Sequence, residues 1–444
     1  MSSFAQQLKQ RKQAFLADFS EGRSLENWVV SVGNEAGDLD SMASALGYAH
    51  FAAQADASSS RQYVPLVMTA RSDLILRPEN TEALSSAGVT DDALLTIDDL
   101  PSSKLSSLGV SFALVDHNVL LPSFRSSPET LSNQEDDRKV AAILDHHADE
   151  GLHLHASPRH LEPAGSCASL VTSYFSGLSS SSSFSTLSIP SPLADLLLSA
   201  ISIDTKLRPW TEGGKATATD LSAVEHLLPF SSFSSSSSSS TSTAAGSLTA
   251  SNSSALEALK HRNAYLSERK NDVAWMSGRD LLRRDYKEYV EGSLRYGLST
   301  VPLGLNVWLE KAQGKEGGEK WDLVLSETRA WMKERGLVLA GVLTSYTHVK
   351  RKSGKEGKHR RELVLVAAEG YGEKLQGVFE GVERDEVLQL EEWKDVEYYG
   401  GRMEGTTEEG EKWKVWQQGN VKATRKQVAP VLKKLVLEAA GVAE

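Results

Sequence analysis

Four short clusters of acidic, amide and histidine residues stand out in the first half of the chain. They are Asn34-Glu35-Ala36-Gly37-Asp38-Leu39-Asp40-Ser41, Val115-Asp116-His117-Asn118, Leu144-Asp145-His146-His147 and Ile203-Asp204-Thr205. Carboxylate oxygens suit hard divalent cations, and imidazole nitrogens suit borderline ones. Taken singly, each cluster is equally a solvated turn or a structural cap. Together they offer enough ligands for two divalent ions about 3.5–4 Å apart, an arrangement that clamps an in-line phosphoryl displacement.

The clusters share a position. Trp28–Val32, Ser111–Val115 and Val140–Leu144 are short apolar runs that lead into the first three, and Leu193–Ile203, helical or strand-like, leads into Asp204. Ser41–Ala55 carries small and apolar residues at helical spacing. Alternating strands and helices predict an α/β fold with a doubly wound, mostly parallel sheet. Ligands of such sheets collect beyond the carboxyl ends of the strands, where the clusters lie. The second half reads differently. Leu256–Tyr289 is helical and charged, Gly336–Val349 and Arg360–Ala368 form a hairpin, and Thr424–Ala439 is an amphipathic helix. These predict a smaller mixed α/β domain.

Two Ser-rich stretches, 176–188 and 230–254, cannot bury enough apolar surface to offset backbone entropy. The first reads as a loop and the second as a disordered linker. The expected division is therefore a catalytic domain over 1–229, a linker over 230–254 and a second domain over 255–444. A chain of 444 residues suits two domains, and its 40% hydrophobic and 24% charged residues are ordinary for a globular protein. Cys167 is the sole cysteine, so intramolecular disulfides are excluded. No apolar run is long enough to span a bilayer, and residues 1–20 lack the apolar core of a secretory signal. The expectation is a cytoplasmic protein with no membrane partner, acting as a monomer. The net charge of −11 disfavours nonspecific nucleic-acid binding. A polyanionic substrate would then need bound cations and local Lys/Arg clusters. The most basic stretch is His348-Val349-Lys350-Arg351-Lys352 with Lys358-His359-Arg360-Arg361. It reads either as a track for a polyanion, with His359 and Arg361 nearer the strand as contacts, or as a solvated hairpin loop.

The order N-x-x-x-D-x-D-S, V-D-H-N, D-H-H and a late Asp resembles the DHH phosphoesterase superfamily. Glu162-Pro163-Ala164-Gly165-Ser166-Cys167-Ala168-Ser169-Leu170 resembles its phosphate-site helix, and Arg269-Lys270-Asn271-Asp272-Val273 and Ala423-Thr424-Arg425-Lys426-Gln427 resemble the associated second-type domain. The similarity covers nearly the whole chain outside the Ser tracts, and is strongest to fungal-type cytosolic exopolyphosphatases. Family II pyrophosphatases and prune-like proteins are more distant. The resemblance implies Asp38, Asp40, Asp116, His146 and Asp204 as catalytic metal ligands for two ions (Mg²⁺ or Mn²⁺, or Co²⁺), with Asp116 bridging. It implies His147, Lys270, Arg425 and Lys426 as phosphate ligands, Asp145 as the group orienting His146, and an active site in the cleft between domains. Asn34 replaces the His of family II pyrophosphatases, which implies Asn34 touching metal or its water and a shift toward Mg²⁺. Prune-like proteins have Asp-His-Arg where this chain keeps His146-His147. The implied activity is release of orthophosphate from the ends of inorganic polyphosphate. The alternatives are a pyrophosphatase, a prune-like nucleotide phosphodiesterase, and a non-enzymatic metal-binding scaffold.

Overall fold

The strands of the first half are apolar on both sides. Val29, Ala113, Val115, Ala142 and Leu144 enter one core, while Val30, Val32, Phe112, Leu114 and Ile143 enter a second. Strands buried on both faces belong in a parallel sheet with both faces covered. The computed structural model describes residues 3–127, 134–180, 187–234, 250–310, 320–349, 356–394 and 403–441. It divides into two compact units, Met1–Lys270 and Asn271–Glu444.

In the first unit the strands are β1 (Trp28–Val32), β2 (Gln62–Val67), β3 (Leu95–Thr96), β4 (Ser111–Val115), β5 (Val140–Asp145) and β6 (Arg159–Leu161). All pair in parallel, in the order β3-β2-β1-β4-β5-β6. The order reverses between β1 and β4, and the crevice at such a switch point is the usual ligand site of an open α/β sheet. The helices are α1 (Phe4–Ser20), α2 (Leu39–Ala55), α3 (Pro78–Ser86), α4 (Gln134–Lys139), α5 (Cys167–Ser180), α6 (Ser191–Thr205), α7 (Ala218–Leu227) and α8 (Ala250–Asn271). The run left open between helix and strand, Leu193–Ile203, is the body of α6. Small residues on α2 let α5 and α6 come close: a Cβ on Gly47 would stand 3.2 Å from Leu197 and 3.5 Å from Val171.

The division expected at residue 255 falls later. Ala255, Leu259 and Leu266 of α8 are buried in the first unit's core. The change of composition at the Ser tract thus marks a chain segment, not a change of core. Residues 181–186 and 235–249 of the Ser-rich stretches lie outside the described residues, as do 350–355 of the basic hairpin loop. Among the described residues no helix is long and apolar enough to cross a membrane.

The second unit has β7 (Tyr286–Glu291), β8 (Leu294–Val301), β9 (Leu339–Thr344), β10 (Tyr346–Val349), β11 (Glu356–Ala367), β12 (Leu390–Glu391), β13 (Glu404–Thr406) and β14 (Lys412–Gln418). Their order is β12-β14-β11-β9-β8-β7, with β10 on β11 and β13 on β14. Only β8 and β9 pair in parallel. Its helices are α9 (Gly278–Arg284), α10 (Leu305–Glu310), α11 (Lys320–Arg335), α12 (Gln376–Arg384) and α13 (Arg425–Ala440). The predicted hairpin is present, since β9 and β11 pair antiparallel. The helix expected through Tyr289 is not continuous. Tyr286–Glu291 is a strand, and Tyr289 stacks on Tyr296 across the β7–β8 ladder. A cross-strand aromatic pair outweighs weak helix propensity.

One histidine makes the first unit's core sensitive to acid. His50 of α2 meets Phe4 of α1 edge-on, its Nε2 lies 3.1 Å from the Ser188 carbonyl, and its buried Nδ1 has no hydrogen-bond partner among the described residues. Burial pushes its pKa down to about 4. The folded value lies below the unfolded one, so the neutral ring's contribution is whole above roughly pH 6.5 and is lost as pH falls toward 4. Compared with His50→Phe in urea titrations, the wild type is expected to lose about 2 kcal/mol of stability between roughly pH 7.5 and 5. Parallel profiles for the two proteins would contradict this.

Candidate metal centre

The turn from β1 into α2 is fixed by its glycines and by α3. Gly37 has φ +58°, and a Cβ there would lie 2.1 Å from Thr69 Oγ1. Asn80 Nδ2 donates to the Gly37 carbonyl at 2.8 Å, and buried Arg77 donates to the Ala36 carbonyl. Asp38 is the N-cap of α2, with Oδ1 accepting from Ser41 N at 3.0 Å. A side chain that prefers caps also starts the helix carrying Asp40.

Asp116 follows β4 with φ +62°, a left-handed conformation that Asp tolerates better than most residues. Its Oδ2 accepts from Asn34 Nδ2 at 2.6 Å and Ser41 Oγ at 2.5 Å. Its Oδ1 lies 3.1 Å from His146 Nε2. His146 Nδ1 is 2.9 Å from the Ala164 carbonyl. A carbonyl and a carboxylate both accept, so Nδ1 donates to Ala164 and Nε2 to Asp116, and loss of the Nε2 proton would turn a lone pair toward an ion held by Asp116. Asp40 Oδ2 is 4.0 Å from the same Nε2.

Two expectations change here. Asp145 does not orient His146; it accepts from His147 Nδ1 at 2.7 Å and Asn118 Nδ2 at 2.6 Å. The start of α5 is not open to phosphate either. Asp40 accepts from Ser166 Oγ (2.7 Å), Cys167 N (2.7 Å) and Ala168 N (2.8 Å), taking the amide hydrogens that an anion would use. Asp220 takes the neighbouring Gly165 N at 2.8 Å and Ser166 N at 3.2 Å.

The electrostatics follow from crowding. Burial, then the charges of Asp116 and Asp204, raise the Asp40 pKa well above the ordinary value. At the end of α6, Asp204 is pushed up to about 6, first by desolvation, with Asp38 and Asp116 adding to it and Lys270 and His146 opposing. At Asp116 burial also opposes ionisation, but the hydrogen bond and charge of His146 outweigh it and hold the carboxyl below its usual range. Asp38, Asp40, Asp116, His146 and Asp204 therefore lie within one another's fields. Four carboxylates against one imidazole and one ammonium leave a negative surplus that divalent cations would neutralise. The ligand atoms of Asp116, Asp145, His146 and His147 also lie within 4.8 Å of one another. Asp145 and His147 already bond each other, which leaves Asp116 and His146 of that group to face an ion, with the Asp40 carboxylate 4.0 Å from His146 Nε2.

The other predicted residues divide. Asn34 gives both amide hydrogens to Asp116 (2.6 Å to Oδ2, 3.1 Å to O), while its oxygen accepts from Ala36 N at 2.9 Å. In this arrangement it positions Asp116 rather than presenting oxygen to an ion. His117 turns back to the Val115 carbonyl at 2.9 Å. Lys270, at the end of α8, acts on Asp204. In the second unit Arg425 is held by Asp285, through its carbonyl at 2.9 Å and Oδ1 at 2.8 Å, and Lys426 is exposed at the start of α13. His359 lines a cavity of the second unit, and Arg361 Nε donates to the Val421 carbonyl at 2.8 Å. Sequence reasoning missed the supporting residues Asn80, Arg77 and Asp220, and gave Asn118 and Ser166 only as members of their motifs. Of these Asp220 carries a legible mark, the Thr217-x-x-Asp220 capping pattern.

The chain matches the family model described as DHH family, N-terminal domain, over residues 28–201, and the DHHA2 domain over residues 264–435. A Schizosaccharomyces pombe protein described as a candidate exopolyphosphatase is 29% identical over 417 residues, 92% of this chain and 91% of that one. The mouse and human proteins named exopolyphosphatase PRUNE1 are each 26% identical, over 64% and 67% of this chain. The match spans only 54% and 56% of their lengths. A solved Methanococcus jannaschii chain, described as a candidate family II inorganic pyrophosphatase, superposes with TM-score 0.52 at 18% identity, covering 92% of this chain and 99% of that one. At that identity the likeness speaks to fold. The chain therefore carries a DHH-family N-terminal domain, which holds the acidic cluster at its sheet, and after it a DHHA2 domain.

Proposed function

We propose that this chain is a metal-dependent exopolyphosphatase of the cytoplasm, releasing orthophosphate from the ends of inorganic polyphosphate. The observation that carries the chemistry is the approach of Asp116 Oδ1 (3.1 Å) and Asp40 Oδ2 (4.0 Å) to His146 Nε2, within the field of Asp38 and Asp204. The choice of substrate is supported by the names of the S. pombe and PRUNE1 relatives.

Asp38, Asp40, Asp116, His146 and Asp204 would hold the ions, and Mg²⁺ suits a set with a single imidazole. Bound there, divalent ions supply acidification of a water and neutralisation of phosphoryl oxygens. The protein's own residues do the rest. Asn34 and Ser41 fix the Asp116 carboxylate, and the Ala164 carbonyl fixes the His146 tautomer. With Nδ1 tied to Asp145, His147 keeps Nε2 for a phosphate oxygen. Lys270, Arg425 and Lys426 are the proposed phosphate ligands, countering negative charge on substrate and leaving group. Water adds to the terminal phosphorus, the bond to the bridging oxygen breaks, and orthophosphate leaves a chain one unit shorter.

The test is phosphate release with Mg²⁺ from tripolyphosphate, long polyphosphate, pyrophosphate and a cyclic nucleotide. Turnover of the polyphosphates is expected to exceed that of pyrophosphate and the cyclic nucleotide by about tenfold or more, a discrimination of roughly 1.4 kcal/mol. Preference for pyrophosphate or the cyclic nucleotide would replace the proposal, and no release from any of them would leave a metal-binding scaffold.

A further inference from the structure

A cavity of about 600 Å³ lies wholly in the second unit, at the end of the sheet where β11 runs on past β14. Its charged and ionisable lining is His348, Lys358, His359, Arg360, Lys394 and Glu391. Glu391 lies 3.1 Å from Lys394, and Lys358, Arg360 and Lys394 outnumber the single acidic side chain of the described lining. On a chain of net charge −11 this is a local reversal. Lys358 and Arg360 alternate with His359 on one strand. They therefore share a face, roughly 7 Å apart along it.

The cavity is built rigidly. Behind it, Gln417 Nε2 donates to the Arg361 carbonyl at 2.5 Å, and Gln418 Nε2 donates to the Asn420 and Ala423 carbonyls at 2.7 and 2.6 Å. From the other face of β11, Arg361 holds the Val421 carbonyl. A register shift in the β10–β11 ladder between Thr347 and Val349 falls at His348, and such irregularities re-aim a side chain. Among the described lining residues there is no Phe, Tyr or Trp, so no ring on which a nucleobase would stack. The volume exceeds one phosphate and lies in the ordinary range for a bound ligand.

We propose that this cavity binds an internal segment of a linear polyphosphate, as a site built from the second unit alone and separate from the metal centre. The ligand's identity rests on the exopolyphosphatase reading; the anion chemistry does not. The site would make affinity depend on chain length, because only long chains have internal segments to offer it.

The experiment uses the full chain carrying Lys358→Ser and Arg360→Ser together, with a matching melting curve as the check on folding. Binding of end-labelled polyphosphate of about 100 units is read by anisotropy in EDTA, where the metal centre cannot contribute. The double variant is expected to bind about tenfold more weakly, with a salt slope shallower by about 2. In Mg²⁺ its KM for long chains is expected to rise about tenfold, with KM and kcat for tripolyphosphate within about twofold of wild type. Asp116→Asn, which removes hydrolysis, is expected to retain wild-type binding in EDTA. Unchanged binding by the double variant overturns the proposal. So does an equal loss on tripolyphosphate, and so does displacement of polyphosphate by single-stranded RNA at lower phosphate concentration. If the wild type hydrolyses no polyphosphate yet binding in EDTA still depends on Lys358 and Arg360, the site stands and the exopolyphosphatase reading fails.

Discussion

Asp116→Asn is expected to lower phosphate release by about a thousandfold, roughly 4 kcal/mol of transition-state stabilisation, while leaving the protein folded. The side chain is matched in shape, and Asn accepts the left-handed backbone that this position requires. The network can re-form around an amide. Its oxygen would take the bonds from Asn34 and Ser41, and its NH₂ would face His146 Nε2, which presents a lone pair once its proton is lost, Nδ1 keeping its bond to Ala164. What disappears is one negative charge between Asp40 and Asp204, and with it most of the reason for a cation to bind. In chelator the variant should melt modestly below the wild type, because a carboxyl held below its usual range is one that the folded state favours in ionised form. A variant that retains turnover would remove Asp116 from the centre. One that loses turnover only by unfolding would make its role structural.

Chelation of divalent ions is the second large effect. EDTA is expected to abolish turnover, and Mg²⁺ or Mn²⁺ to restore it. Because the cluster exists only in the folded chain, the ion stabilises that state by mass action, about 2.7 kcal/mol at a hundredfold excess over its dissociation constant. For a unit of this size that is roughly 5–10 °C in melting temperature. Asp40→Asn should lose part of this shift, and Lys426→Ala should keep it, since Lys426 lies outside the cluster. A melting temperature indifferent to divalent ions would argue that the carboxylates manage their repulsion by protonation alone, as the raised pKa values of Asp40 and Asp204 permit.

The acidic clusters were legible in the sequence because each closes an apolar run, and strand ends of a parallel sheet converge. Trp28–Val32, Ser111–Val115 and the start of β5 fall where periodicity placed them. What periodicity could not show is the choice of partner. Asp145 precedes His146, yet on the pleat successive side chains diverge. The carbonyl that orients His146 comes from Ala164, a loop away. The free amides of a helix start look the same in sequence whether an anion or an internal carboxylate fills them, so the role of Asp40 at α5 was hidden. So was the place of α8, whose three buried apolar residues are outnumbered by charged and polar neighbours. The short strands β3, β6 and β12 are too brief to register against the ladders that hold them.

Asp40 closes the first turn of α5 with the same carboxylate that faces His146. Loading of the centre is thereby mechanically joined to a helix at the heart of the first unit. The backbone deuterium uptake of Cys167 and Ala168 then becomes a built-in reporter of occupancy, slowing when ions enter and Asp40 is locked, with no substrate present.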